Sequence, residues 1–244
     1  MTYVFGGIAV LLGALSSVSA LAQETVPQIW ADYHSSFYLS RDWQFYGDTG
    51  ARYQWDEPKW ASVYVRPSIR LHGVYKKPSE LRAGLGVFYS HNEDISNTLE
   101  IRPWLGLLIK RPTIGPLTIT NYVRLEERLV DTIDDSEWSN STRLRYRIGL
   151  KIPISPDTRE QYNFVPFSFE WFWDVGPGVE EVFADRLRVD VGFGRIFSYV
   201  WTAEFHMIFQ EARQSQETTF SSEILIFRFQ IKRLWSAHDY MNVE

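Results

Sequence analysis

The stretch Thr142–Leu150, TRLRYRIGL, sets Arg143, Arg145 and Arg147 on every second residue. Guanidiniums at that spacing can attract oxyanions, or they can interlock with carboxylates through a planar fork of donors. The same rhythm recurs with carboxylates included: Glu100 with Arg102, Arg124 with Glu126 and Arg128, then Glu170, Arg186, Arg188 and Glu204. Two uses are open. A ring of arginines could draw anions through a narrow pore. Alternatively, paired charges could brace a wall and close it.

Other chemistry has thinner support. Glu204 and His206 share a strand face and could form an acid–base pair, with Ser168 near Glu170 as a conceivable nucleophile. No G-x-S-x-G motif accompanies them, and a hydrogen-bonded structural pair is the expected reading. The five histidines form no H-E-x-x-H or H-x-x-x-H motif, and there is no cysteine. Asp131, Asp134, Asp135 and Glu137 lie close together but lack the spacing of a calcium loop. Gly84, Gly86, Gly192 and Gly194 lie within alternating runs, not before a helix, so they are not phosphate loops. No catalytic set, metal centre or cofactor is expected. A net charge of −5 argues against a nucleic-acid partner.

The elements that carry these side chains are strands. A helix would scatter Arg143, Arg145 and Arg147 around its circumference, whereas a strand puts them on one face and Leu144, Tyr146 and Ile148 on the other. Comparable alternation spans 43–55, 63–75, 81–90, 99–109, 119–130, 139–152, 164–173, 185–196, 200–209 and 224–235. These runs are long for a globular strand and suit a tilted membrane strand. Connectors alternate between a shorter set (40–42, 76–80, 110–116, 155–162, 197–198) and a longer, more acidic set (54–59, 91–97, 131–140, 174–183, 211–222). The pattern predicts an all-β, up-and-down antiparallel transmembrane β-barrel of about ten strands, with about twelve as the alternative.

The chain divides accordingly. Residues 1–22 read as a secretory signal: an apolar run from Val4 to Leu15, then Ala20-Leu21-Ala22, although Met1-Thr2-Tyr3 carries no basic residue. Residues 23–41 form an N-terminal segment expected to pack in the lumen or pair at the seam. Treating it as an additional barrel strand would give an odd count, which is unusual in bacterial barrels. Residues 42–235 make the barrel and 236–244 a C-terminal tail.

Period alone does not say which face is wet, because a soluble ligand-binding barrel alternates in the same way. Three features favour an apolar face turned outward. The charged face uses arginine and glutamate, which interlock, more than lysine. The opposite face is continuously apolar, including Val65, Ile69, Leu105, Val123, Leu125, Phe193, Phe205 and Phe229. Trp43, Trp60, Trp138, Trp173, Trp201 and Trp235 lie near strand ends, where two aromatic girdles would stand. An arginine facing lipid at the midplane costs roughly 2–4 kcal/mol, so in a membrane Arg143, Arg145 and Arg147 must point into the lumen.

These motifs also occur in a family order. Trp30 with Asp42-Trp43, Glu100-Ile101-Arg102-Pro103-Trp104, Arg124-Leu125-Glu126-Glu127-Arg128, Arg143-Leu144-Arg145-Tyr146, Glu170-Trp171-Phe172 and Arg186-Leu187-Arg188 together resemble the Gram-negative family known as domain of unknown function 2490. The resemblance implies an exported outer-membrane-type barrel and supplies no activity. The implied partners are outer-membrane lipid, lipopolysaccharide and the barrel assembly machinery, with the protein a monomer. Expected function is therefore structural, or that of a narrow anion-preferring channel. An outer-membrane lipid-modifying enzyme and a soluble periplasmic ligand-binding barrel are the alternatives.

Overall fold

The computed structural model describes residues 25–56, 59–74, 78–93, 96–111, 117–133, 137–156, 161–175, 186–213 and 221–235. The expected signal (1–22) and tail (236–244) lie outside the described residues. Eleven strands follow one another: β1 (Thr25–Tyr38), β2 (Trp43–Gln54), β3 (Trp60–His72), β4 (Ser79–Asn92), β5 (Thr98–Lys110), β6 (Thr118–Thr132), β7 (Glu137–Pro156), β8 (Tyr162–Val175), β9 (Arg186–Ile196), β10 (Trp201–Arg213) and β11 (Ser221–Leu234). Each pairs with its sequence neighbours, and β1 closes on β11 to complete the barrel.

The strand count corrects the expectation of ten or twelve. The N-terminal segment is a full wall strand, pairing with β2 antiparallel from Gln28–Gln54 to Tyr38–Gln44. Its other edge meets β11 in parallel from Thr25–Glu223 to Ser36–Leu234. With an odd number of alternating strands, the first and last run the same way, so the closing pair has to be parallel. A parallel ladder forms with evenly spaced, slanted hydrogen bonds and asks for no particular side chain. The first and last described residues, Thr25 and Trp235, consequently lie at opposite ends of the barrel.

Two connectors at one end are tight. Leu39 and Ser40 donate backbone hydrogen bonds to the Trp43 carbonyl, and Phe197 and Ser198 do the same to Trp201. Gly73, at φ +77°, makes the bend after β3. Several connectors expected to be loops begin or end as strand. Ser79–Glu80, Asp131–Thr132, Trp138–Asn140 and Tyr162 all belong to the wall. Their polar sequence masks them, because strand ends need no apolar outer face. Pro67, Pro103 and Pro166 lie inside strands, and the ladder skips beside each: β3–β4 between 65 and 68, β5–β6 between 101 and 104, β8–β9 between 164 and 167. Proline has no N–H to donate there.

The interior is polar and the exterior apolar. Inward positions are even-numbered except on β7, where Arg143, Arg145 and Arg147 point in as odd residues. Glu126 is fully buried at 0 % exposure, while its neighbour Leu125 on the same strand is 50 % exposed. Val65, Ile69, Leu105, Val123, Phe193, Phe205 and Phe229 are likewise exposed on the outer face. A small apolar plug of Trp30, Ile208 and Ile226, backed by Ile224, fills the inside near the seam. Tyr64 and Phe88 stack beside it with centroids 5.2 Å apart.

Candidate functional site

The candidate site is the lumen, where side chains from every strand converge. Its centre is Glu126 on β6. Arg143 donates to Glu126 Oε2 from Nε (2.9 Å) and Nη2 (2.6 Å), Arg145 donates to Oε1 from Nη1 (2.8 Å), and Arg124 pairs with the same oxygen. Arg145 also forks onto Glu170 Oε1 at 3.0 and 2.7 Å, and Arg188 stands 3.6 Å from the other Glu170 oxygen. One carboxylate thus ties two adjacent strands, and a second extends the tie to β8 and β9. Nearer the end of the barrel where β5 begins and β6 finishes, Arg102 and Arg128 both fork onto Glu100. The ladder sets two of these pairings directly, since Glu126 faces Arg143 and Glu170 faces Arg188, whereas Arg145 reaches Glu170 diagonally and Arg147, directly opposite Glu170, does not pair with it. Such geometry is favourable only because nearly every carboxylate oxygen has a donor; a buried ion lacking partners is costly.

The guanidiniums also stack on inward aromatic rings. Arg52 lies 4.1 Å from the Trp30 centroid, Arg102 lies 4.2 Å from Phe88, and Arg145 lies 4.6 Å from Phe172. Cation–π contact is strengthened where water is excluded. These inward side chains pack closely: Trp30, Tyr64, Phe88, Phe164, Phe172, Arg102, Arg124 and Arg143 all have less than a tenth of their surface accessible.

The expected set is mostly brought together here: Glu100, Arg102, Arg124, Glu126, Arg128, Arg143, Arg145, Glu170, Arg188 and Glu204 all join ion pairs. Arg147 departs from it. Its guanidinium lies 5.5 Å from the Tyr122 centroid, and it makes no ion pair among the described residues. Arg186 opens β9, and its side chain is outside the described residues. Of the tryptophans expected at the rims, Trp43, Trp138, Trp173, Trp201 and Trp235 are exposed on the wall. Trp60 instead sits on the inward parity of β3 and donates its indole N–H to Gln54 at 2.8 Å.

Glu204 and His206 do meet, at 2.9 Å, but the arrangement is crowded. The other ring nitrogen of His206 contacts Asp190 at 2.7 Å, and Lys232 donates to the free oxygen of Glu204 at 2.6 Å. A general base needs a free nitrogen facing a nucleophile; both nitrogens here face carboxylates. Ser168 faces Asp190 across β8–β9 and has no hydrogen bond to His206 among the described residues. Nor do the described residues bring three or more His, Cys, Asp or Glu together to hold a metal ion.

Several lumen groups escaped the sequence reading. Asp32 on β1 accepts from Tyr64 and Arg228, joining both sides of the seam. Asp48 pairs with Arg66, and Glu80 with Arg82 and Lys110. Asp32 was missed because its segment was left between a lumen plug and a seam strand; its outer face carries Ala31 and Ser35 and so alternates weakly. Glu80 was missed inside a connector. The signal that could have found them is parity: each sits two residues from another polar inward position.

A family model described as "Protein of unknown function (DUF2490)" matches residues 27–221. No curated protein matches the chain.

Proposed function

We propose that this chain, which belongs to the DUF2490 family, is an outer-membrane β-barrel whose lumen is closed by its own ion-pair lattice and whose role is structural. The observation that carries the reading is the inside-out distribution of chemistry: Glu126 wholly enclosed, and Leu105, Val123, Leu125, Phe193 and Phe229 about half exposed around the wall. Apolar surface costs about 25 cal/mol per Å² in water, and soluble monomers rarely present contiguous apolar patches beyond a few hundred Å². A belt that runs around the barrel is stable when acyl chains cover it. Strands of 11 to 20 residues are long enough to cross tilted.

The close packing of the inward side chains supports a structural role over a pore. A conducting lumen needs a water-filled path, yet Glu126, Arg143, Glu170 and Phe172 meet with almost no accessible surface between them. The two engaged nitrogens of His206 count against a lipid-modifying enzyme. The test has three parts. The protein should fractionate with outer membranes, should run faster on a gel when unheated than when boiled, and should give no resolved conductance steps in a planar bilayer. Recovery in the aqueous fraction without detergent would reject the membrane assignment, and steady single-channel steps would reject closure.

A further inference from the structure

We propose that Arg70, Arg82, Arg124 and Arg147, gathered around Tyr122 and Tyr46, form a phosphate-binding site in the lumen, open toward the mouth that carries the short turns. The site lies inside the barrel wherever the barrel resides, so it stands independently of the membrane assignment.

The first observation is a row of like charges. Arg70 faces Arg82 directly across β3–β4, Arg82 faces Gly106, Gly106 faces Arg124, and Arg124 faces Arg145. Like charges directly opposite one another destabilise a sheet. Elsewhere in the lumen carboxylates offset that repulsion. Here Glu80 serves Arg82, and Glu126 serves Arg124 and Arg145, but Arg70 and Arg147 have no ion pair or hydrogen bond among the described residues.

The second observation is donors without acceptors. The Nε atoms of Arg70 and Arg124 are buried and lack a hydrogen-bond partner, and Arg124 as a whole is 8 % exposed. Leaving such groups unpaired costs free energy that an anion would recover. Aromatic rings order these cations without neutralising them. Arg70 lies 3.4 Å from the Tyr46 centroid, and Arg82, Arg124 and Arg147 lie 5.2, 5.9 and 5.5 Å from that of Tyr122. Three guanidiniums therefore approach one ring whose hydroxyl makes no hydrogen bond among the described residues. Gly106 is what lets the ring lie there: a Cβ at that position would stand 2.7 Å from the Tyr122 hydroxyl.

The chemistry selects the ligand. Several forked donors plus a phenol match an oxyanion with three free oxygens, which is a phosphate or phosphate monoester. Approach is from the short-turn end, since Arg70 lies two residues from the end of β3 and Arg82 three from the start of β4.

The test uses the full-length protein in nonionic detergent and inorganic phosphate as the probe, with binding read by calorimetry and by the shift in unfolding temperature. Phosphate binds the wild type and raises its unfolding temperature. Arg70→Gln and Arg147→Gln each weaken binding by about tenfold or more, and neither lowers the unfolding temperature without phosphate, because neither side chain has an ion pair or hydrogen bond to lose and relief of the repulsion among these cations offsets the lost cation–π contact. Arg41→Gln, in the exposed β1–β2 turn, leaves binding unchanged. If vesicles containing phosphatidate bind while inorganic phosphate does not, the site holds and the phosphate belongs to a lipid headgroup. The proposal is overturned if neither probe binds the wild type, if both variants bind as the wild type does, or if both variants unfold at lower temperature without phosphate. Loss of membrane fractionation would leave these outcomes untouched.

Discussion

Glu126→Gln and Glu127→Gln make the same chemical change at adjacent residues and should have opposite consequences. Glu126 is wholly buried and accepts from Arg143 twice, from Arg145 once and from Arg124. Removing its charge leaves Arg145 still forked onto Glu170, but Arg124 and Arg143 keep no carboxylate among the described residues. Stranding a buried charge costs about 3–5 kcal/mol. The glutamine carbonyl can still accept one hydrogen bond, which returns about 1 kcal/mol. A net loss of about 2–4 kcal/mol follows. Glu127 points outward and accepts a single hydrogen bond from Thr142 at 2.6 Å, so its variant should lose about 1 kcal/mol or less. Reversible urea unfolding in lipid vesicles, followed by tryptophan fluorescence, measures both. If Glu126→Gln falls within about 1 kcal/mol of the wild type, or Glu127→Gln costs as much as its neighbour, the lattice does not hold the wall as described.

Three further outcomes are expected. Asp32→Asn, which weakens the tie to Arg228 and Tyr64 across the seam, should lower stability by about 3 kcal/mol and lower the unfolding temperature. Gly84→Val should impair assembly, because a Cβ there would lie 2.7 Å from the Pro67 carbonyl oxygen, which cannot move aside, and from the Trp104 ring; overpacking of this kind costs about 1–3 kcal/mol or more, read as a smaller folded band on an unheated gel. Replacing Arg145 and Glu170 singly and together in a double-mutant cycle should give a coupling of about 1–3 kcal/mol, and a value near zero would remove that pair from the lattice.

Much of this architecture was legible because two-residue alternation carries both the element and its facing. Most charges of β6, β7, β8 and β9 sat on a single parity within their own strand, and the barrel places Arg124, Glu126, Arg143, Arg145, Glu170 and Arg188 on the inside. Glu127, off parity, indeed faces outward beside Leu125. The seam was only half legible: pairing there was one of the two places expected for residues 23–41, but not a full wall strand closing an eleven-stranded barrel. Strand β1 alternates Gln28, Trp30, Asp32 and His34 inward, but its outer residues include Ala31 and Ser35, and an even count of strands was a reasonable prior. Parallel pairing with β11 leaves no local mark, since any backbone can form it. The inward aromatics were hidden for a different reason. Tyr64, Phe88, Tyr122 and Phe172 look like wall-facing residues by composition, and only their register beside arginines turns them into cation–π partners. Arg147 was expected in an ion pair, yet Glu170 opposite it is taken by Arg145 and Arg188. Competition among several arginines for one carboxylate is decided by side-chain reach, which spacing does not encode.

The central claim is that hydrocarbon touches the outer wall while the charges face inward. A spin-labelled cysteine at Leu125, compared with one at Ser62 on the inward face, tests it most directly in reconstituted vesicles. The account predicts that the label at 125 collides freely with dissolved oxygen and scarcely with a water-soluble nickel chelate, while the label at 62 is shielded from oxygen. Strong broadening of the label at 125 by the nickel chelate would contradict it.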